Sequence, residues 1–283
     1  MLRWIPSSAF RLGAVVAAIV AMSCAGGEST TMAPTTSPLT GVAPEAWARL
    51  AQTRILFGHQ SVGANIVDGV RDVLRSQPQI RLDIVEEVAG TDERPAFVHF
   101  AAGRNTQPLS KIEDFTGRLR ASAVKPDVAF LKFCYIDVNA GTDVRNLFER
   151  YRTTMAELKS VAPQTRIVHL TVPLRVVQSD WKVPVKRLIG RPIGGYADNI
   201  RRNEYNDLLR AEYAGREPLF DLAAIQSARP GGGRMVFESN GKEYLALAPE
   251  LTSDGGHLNE QGKRVVAEAL LAELARIAST PAR

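Results

Sequence analysis

The chain has 283 residues, 45% of them hydrophobic and 23% charged, with a formal net charge of +5. Such a length and composition allow one large domain or two small ones, with ample material for a core, and exclude a disordered or fibrous chain. The mild positive excess is spread along the sequence. With no zinc-finger spacing and no aromatic-basic strip, nucleic-acid binding is not expected.

At the amino end, Arg3 and Arg11 precede an apolar run over 12–22. That pattern has signal-peptide length and is too short for a confident membrane span. Residues 1–23 are therefore set aside as a signal peptide. Ala21-Met22-Ser23-Cys24 resembles the lipobox of bacterial lipoproteins. The resemblance implies that Cys24 is acylated, palmitate included, and becomes the first residue of a lipid-anchored envelope protein. Ordinary secretion with cleavage nearby is the other reading. Ala25 stands where many inner-membrane-retained lipoproteins carry Asp, which leans toward the outer membrane or its periplasmic face. Only one other cysteine exists, Cys134, in an apolar run. It reads as a buried small residue, and no disulfide is expected.

Residues 24–44, rich in Ser, Thr, Pro and Gly, read as a flexible tether. The domain then occupies 45–283. An apolar strand over 54–57 runs into a helix over 62–76, with Ile66, Val70, Val73 and Leu74 on one side. A second strand is expected over 80–88, a third over 127–133, a helix over 144–161 ended by Pro163, and a strand over 166–172. A helix over 200–213, a fifth strand over 219–225 and a closing amphipathic helix over 261–277 follow. Alternating strands and helices imply a parallel sheet covered on both faces. The expected fold is a three-layer α/β/α sandwich of about five parallel strands in the flavodoxin-like order 2-1-3-4-5.

Two stretches read as insertions. Residues 174–202 carry seven Lys and Arg side chains with Trp181, which is either a solvated face or a surface for an anionic polymer. Residues 229–251 hold Asn240-Gly241 between apolar runs, a hairpin signal.

The chemistry concentrates at two places. Ser61 follows the first strand, and Asp254-Gly255-Gly256-His257 precedes the last helix. Ser61 is either the N-cap of its helix or a nucleophile whose own N–H faces an oxyanion. Asp254 and His257 are either turn and surface residues or an orienting carboxylate and a general base. Together they form the three parts of an activated-serine site. His59 either lines that site or shapes the turn, His99 shows no partner signal, and His169 reads as core. No spacing supports a metal site.

Gly58-His59-Gln60-Ser61 and Asp254-x-x-His257 resemble the first and last blocks of the SGNH/GDSL hydrolase superfamily over roughly residues 50–278. The resemblance implies a flavodoxin-like fold and metal-independent ester hydrolysis, with Ser61, His257 and Asp254 catalytic and no cofactor. It implies as substrate a small-molecule or glycan ester, such as an acetyl ester of an envelope glycan. It also implies an oxyanion hole of the Ser61 N–H, the Gly103 N–H and an asparagine. Two departures stand out. His59-Gln60 replaces the family's aspartate between glycine and serine, and Ile136 occupies the asparagine position in Cys134-Tyr135-Ile136-Asp137. Isoleucine cannot donate, so Asn105 is expected to take over, with Asn139 the other candidate. Two rival readings share the fold: an O-acyltransferase with the same triad, and a non-catalytic glycan-binding protein.

Overall fold

A computed structural model describes residues 1, 37–87 and 94–280. The signal-peptide and Cys24 expectations lie outside the described residues.

The body is built from helix α1 (Pro44–Leu50), strand β1 (Ile55–His59), α2 (Val62–Ser76), β2 (Ile84–Glu86), β3 (Phe97–Ala101), α3 (Pro108–Ala121), β4 (Val128–Leu131) and α4 (Val144–Val161). It continues with β5 (Arg166–Leu170), α5 (Lys182–Leu188), α6 (Tyr196–Tyr213), β6 (Leu219–Phe220) and α7 (Leu222–Ser227). A hairpin of β7 (Val236–Ser239) and β8 (Lys242–Leu245) and the closing helix α8 (Glu260–Ser279) complete it. The main sheet has the order β2-β3-β1-β4-β5-β6, every neighbouring pair parallel.

Strand side chains alternate between faces, so each strand feeds two cores. Phe57, Phe97, Phe130 and Val168 point into a layer closed by α1, α2 and α8. Leu56, Val98, Ala129 and Ile167 point the other way, into a layer closed by α3, α4 and α6. The result is the expected α/β/α sandwich. Phe57, Phe97 and Phe130 form the centre of the first core, with ring centroids 4.5–5.9 Å apart. Phe97 meets the other two rings edge-on, a packing that adds to plain area burial.

Three sequence expectations change. The strand expected over 80–88 shrinks to the short edge strand β2, and the strand beside β1 is β3, which the pattern reading passed over. With β3 inside and β2 outside, the sheet has six strands rather than about five. The remaining order, β3-β1-β4-β5-β6, keeps the anticipated sequence of crossovers. The strand expected over 219–225 ends after Phe220, because Asp221 caps α7 by accepting from the Ala224 N–H. Finally, part of the stretch read as tether is packed: Ser37 Oγ donates to Glu268 Oε2 at 2.7 Å, and Leu39 and Val42 lie on the core beside α8. The hairpin forms as read, with Asn240 and Gly241 both at positive φ.

The contact of α2 with α8 positions the site. Gly69 sits where a Cβ would lie 2.5 Å from the Lys263 carbonyl oxygen. Backbone cannot swing aside as a side chain can. Gly69→Ala gains about 0.5–1 kcal/mol of helix propensity. It should lose more, about 1–3 kcal/mol, to overpacking. Urea unfolding should therefore show a lower midpoint; an unchanged or raised midpoint would refute the close approach.

Candidate active site

Ser61 stands at the carboxyl edge of the sheet, between β1 and α2. Its backbone is at φ 53°, ψ −112°, a region that non-glycine residues enter at a cost of about 1–3 kcal/mol. Although it occupies the N-cap position of α2, its side chain makes no capping hydrogen bond. The hydroxyl instead lies 2.6 Å from His257 Nε2. The capping role considered from sequence is thus unfilled, and the side chain is turned away from its own helix.

The loop before α8 presents the partner. Asp254 Oδ1 accepts from the N–H groups of Gly256 and His257 at 2.9 and 2.8 Å, and Oδ2 lies 2.6 Å from His257 Nδ1. Those hydrogen bonds, the imidazole's first, hold the Asp254 carboxyl well below the ordinary carboxylate range. Its bond to Nδ1 fixes the tautomer in which Nε2 accepts from Ser61. Thr252 Oγ1 donates to the His257 carbonyl at 2.6 Å, and the Leu258 N–H donates to Asn65 Oδ1 on α2. Tyr135 packs edge-on to the imidazole at 5.7 Å, with the Arg175 guanidinium over its own ring. Arg175 Nε also donates to the Gly255 carbonyl.

The residues expected to bind an oxyanion divide. No hydrogen bond engages the Ser61 N–H among the described residues. The Gly103 N–H, expected to face the oxyanion, instead donates to Asp114 Oδ2 on α3 at 2.9 Å. Gly103 has a packing reason to be glycine: it is at φ 53°, and a Cβ there would lie 2.5 Å from the Lys111 backbone nitrogen. Its carbonyl accepts from Gln60 Nε2 at 2.5 Å, which places it beside the serine turn. Asn105 is exposed, and its Oδ1 accepts from Lys111 Nζ at 2.9 Å. Lysine only donates, so the amide orientation is fixed and Nδ2 is the end left available.

Lys111 is the residue sequence reading missed. It is fully buried, 2.5 Å from Asp137 Oδ2 and 3.2 Å from Cys134 Sγ. Asp137 in turn accepts from the N–H groups of Thr106 and Cys134. Its carboxylate ties the Asn105 loop to the turn after β4. Ile136, at the position where a donor was sought, is 43% exposed. Asn139 uses its Oδ1 on the Gly141 N–H.

Beside Ser61 opens a cleft of about 540 Å³, lined by His59, Ala64, Asp68, Arg71, Glu86 and His99 among others. Arg71 Nη2 lies 3.2 Å from His99 Nε2, and His99 Nδ1 lies 3.2 Å from His59 Nε2. Arginine can only donate, which makes His99 Nε2 an acceptor and Nδ1–H the donor to His59. Burial, then the charge of His99, pushes His59 down to about 3, and burial followed by Arg71 lowers His99. Both rings are neutral wall groups. His99, without a partner signal in the sequence, therefore has two partners. His169, as read, is buried in the core, between Tyr151 and Glu217.

No family model matches the chain, and no curated protein matches it. Among solved structures it is similar to an acetyl xylan esterase at 16% identity and TM-score 0.43, over 76% of this chain and 96% of the other. A carbohydrate esterase family 3 structure from Talaromyces cellulolyticus is similar at 11% identity and TM-score 0.44, over 80% and 96%. The periplasmic domain of a lipopolysaccharide acetyltransferase from Salmonella ser. Paratyphi A is similar at 12% identity and TM-score 0.42, over 76% and 81%. The chemistry of the site rests on its own side chains.

Burial disfavours charge on both His59 and His99, which leaves neither ring suited to take up a proton during turnover. His99→Asn should therefore leave the acid limb of a pH–rate profile in place, even if it changes KM. A limb that moves with this substitution would contradict the assignment.

Proposed function

We propose that the chain is a serine hydrolase acting on ester bonds. The observation that carries this reading is the run of two 2.6 Å contacts, Ser61 Oγ to His257 Nε2 and His257 Nδ1 to Asp254 Oδ2. Ser61 Oγ attacks the ester carbonyl while His257 Nε2 takes its proton. Asp254 holds the ring and stabilises the imidazolium. As the tetrahedral intermediate collapses, the carbon–oxygen bond to the alcohol breaks and His257 returns the proton to that oxygen. Water then repeats the sequence on the acyl-serine, releasing the carboxylic acid and free Ser61.

For the oxyanion we propose the Ser61 N–H and Asn105 Nδ2, with Lys111 and Asp137 as positioning residues. Gly103 serves the turn rather than the oxyanion. The substrate proposed is an O-acyl ester, acetyl among the candidates, of an envelope or extracellular glycan or a small molecule. The polar cleft supports a hydroxyl-bearing alcohol: Asp68 and Glu86 accept from hydroxyls, and Arg71 donates. The protein is proposed to work in the bacterial cell envelope, held by lipid on Cys24. An acyltransferase would use the same three residues and pass the acyl group to a sugar hydroxyl in that cleft. The non-catalytic reading leaves a strained serine and its imidazole contact without a purpose.

A panel of p-nitrophenyl esters tests the reading. Ser61→Ala should lower kcat/KM by about 10⁴-fold or more. Asn105→Ala should lower kcat by about 10²–10³-fold with little change in KM. Turnover that survives Ser61→Ala would remove the hydrolase proposal, and acetyl transfer to an added glycan outpacing hydrolysis would favour the transferase.

A further inference from the structure

The excursion between Gln178 and Gly194 carries a helix that buries none of its residues. Its base is closed by Gln178: the N–H donates to the Gly194 carbonyl, and Oε1 accepts from Lys186 Nζ and the Gly194 N–H. On the helix it presents, α5, and at its two caps, Trp181, Val185, Leu188 and Ile189 are 77%, 50%, 87% and 58% exposed. Positions i, i+4, i+7 and i+8 fall on one helical face. That is the pattern by which a helix meets a core, yet here the face meets solvent. Other exposed large hydrophobics among the described residues, such as Leu109 and Val161, stand singly, which is ordinary.

Charge indicates what covers the stripe. Within 179–193 stand Lys182, Lys186, Arg187 and Arg191 against the single acid Asp180. Lys182 Nζ lies 5.8 Å from the centroid of the Trp181 ring, and Arg187 is pinned to the β7–β8 hairpin through the Glu238 carbonyl. An exposed Trp-led apolar stripe bordered by lysine and arginine suits the boundary between lipid headgroups and acyl chains. A glycan alone would leave the aliphatic side chains uncovered, and a second copy would set like charges together. With seven residues, α5 is far too short to span a bilayer and can meet only its surface.

We propose that α5 seats in the surface of an anionic phospholipid bilayer. The excursion begins three residues after Arg175, which donates to Gly255 of the loop carrying His257. The proposal does not depend on the hydrolase reading, nor on lipid at Cys24.

A local probe separates this contact from any anchor. In the full chain carrying Cys24→Ser, an environment-sensitive nitrobenzoxadiazole label is placed at Leu188→Cys, while Cys134 stays buried and unlabelled. Vesicles of phosphatidylcholine with phosphatidylglycerol should raise emission by at least about threefold, and phosphatidylcholine alone should not. Lys182→Glu with Arg191→Glu should abolish the rise, and high salt should weaken it. A label at Ile189→Cys should repeat the result from the next position on the stripe. Each of three outcomes would overturn the proposal: no rise with anionic vesicles, a rise that survives charge reversal, or a rise produced without lipid by self-association or by an acidic polysaccharide.

Discussion

The packing of α8 against α2 lets a hydroxyl meet an imidazole 196 residues away in sequence. Ser61 is fixed by the end of β1 and the start of α2, and His257 by the loop that opens α8. Neither position is local to the other. The two helices approach so closely that Gly69 has no room for a Cβ beside the Lys263 carbonyl, and Asn65 on α2 holds the Leu258 N–H of the loop. The geometry at Ser61 thus follows from burial: two apolar helix faces closing over Phe57, Phe97 and Phe130.

Around that contact the polar groups are arranged in a second tier. Lys111 is fully buried and would be costly alone, but the Asp137 carboxylate compensates its charge. The pair has a consequence at the surface, because another of the lysine's hydrogen bonds fixes which end of Asn105 faces outward. In the same way Arg71 sets the tautomers of His99 and His59, while burial above all disfavours charge on both rings. Buried pairs here determine the orientation of exposed groups.

The contact of Ser61, His257 and Asp254 was legible because each residue lies at the end of a core element, where period and turn signals locate it within a residue or two. Asn105, proposed for the oxyanion, was suggested only by its place near Gly103. Lys111 was not legible: one lysine in a helix that the pattern did not reveal gives no sign that it is buried against Asp137. The Gly103 N–H was misassigned because nothing local to it shows that Asp114, eleven residues on, claims it. β3 was passed over because Phe97-Val98-His99-Phe100 is a short apolar run without alternation. Such a run marks a strand buried on both faces, but also any core segment. The fifth strand was drawn too long because Asp221, read as part of an apolar run, is a helix cap. Local chemistry reached the serine, the imidazole and the carboxylate; partners assembled by tertiary packing lay beyond it.

The most direct measurement is covalent. The protein is incubated with a fluorophosphonate, digested and mapped by mass spectrometry, beside a His257→Ala variant. The account predicts a phosphonyl adduct on the peptide bearing Ser61 in the parent chain and little or none in the variant. A parent chain that stays unmodified, or an adduct formed at the same rate without the imidazole, would contradict it.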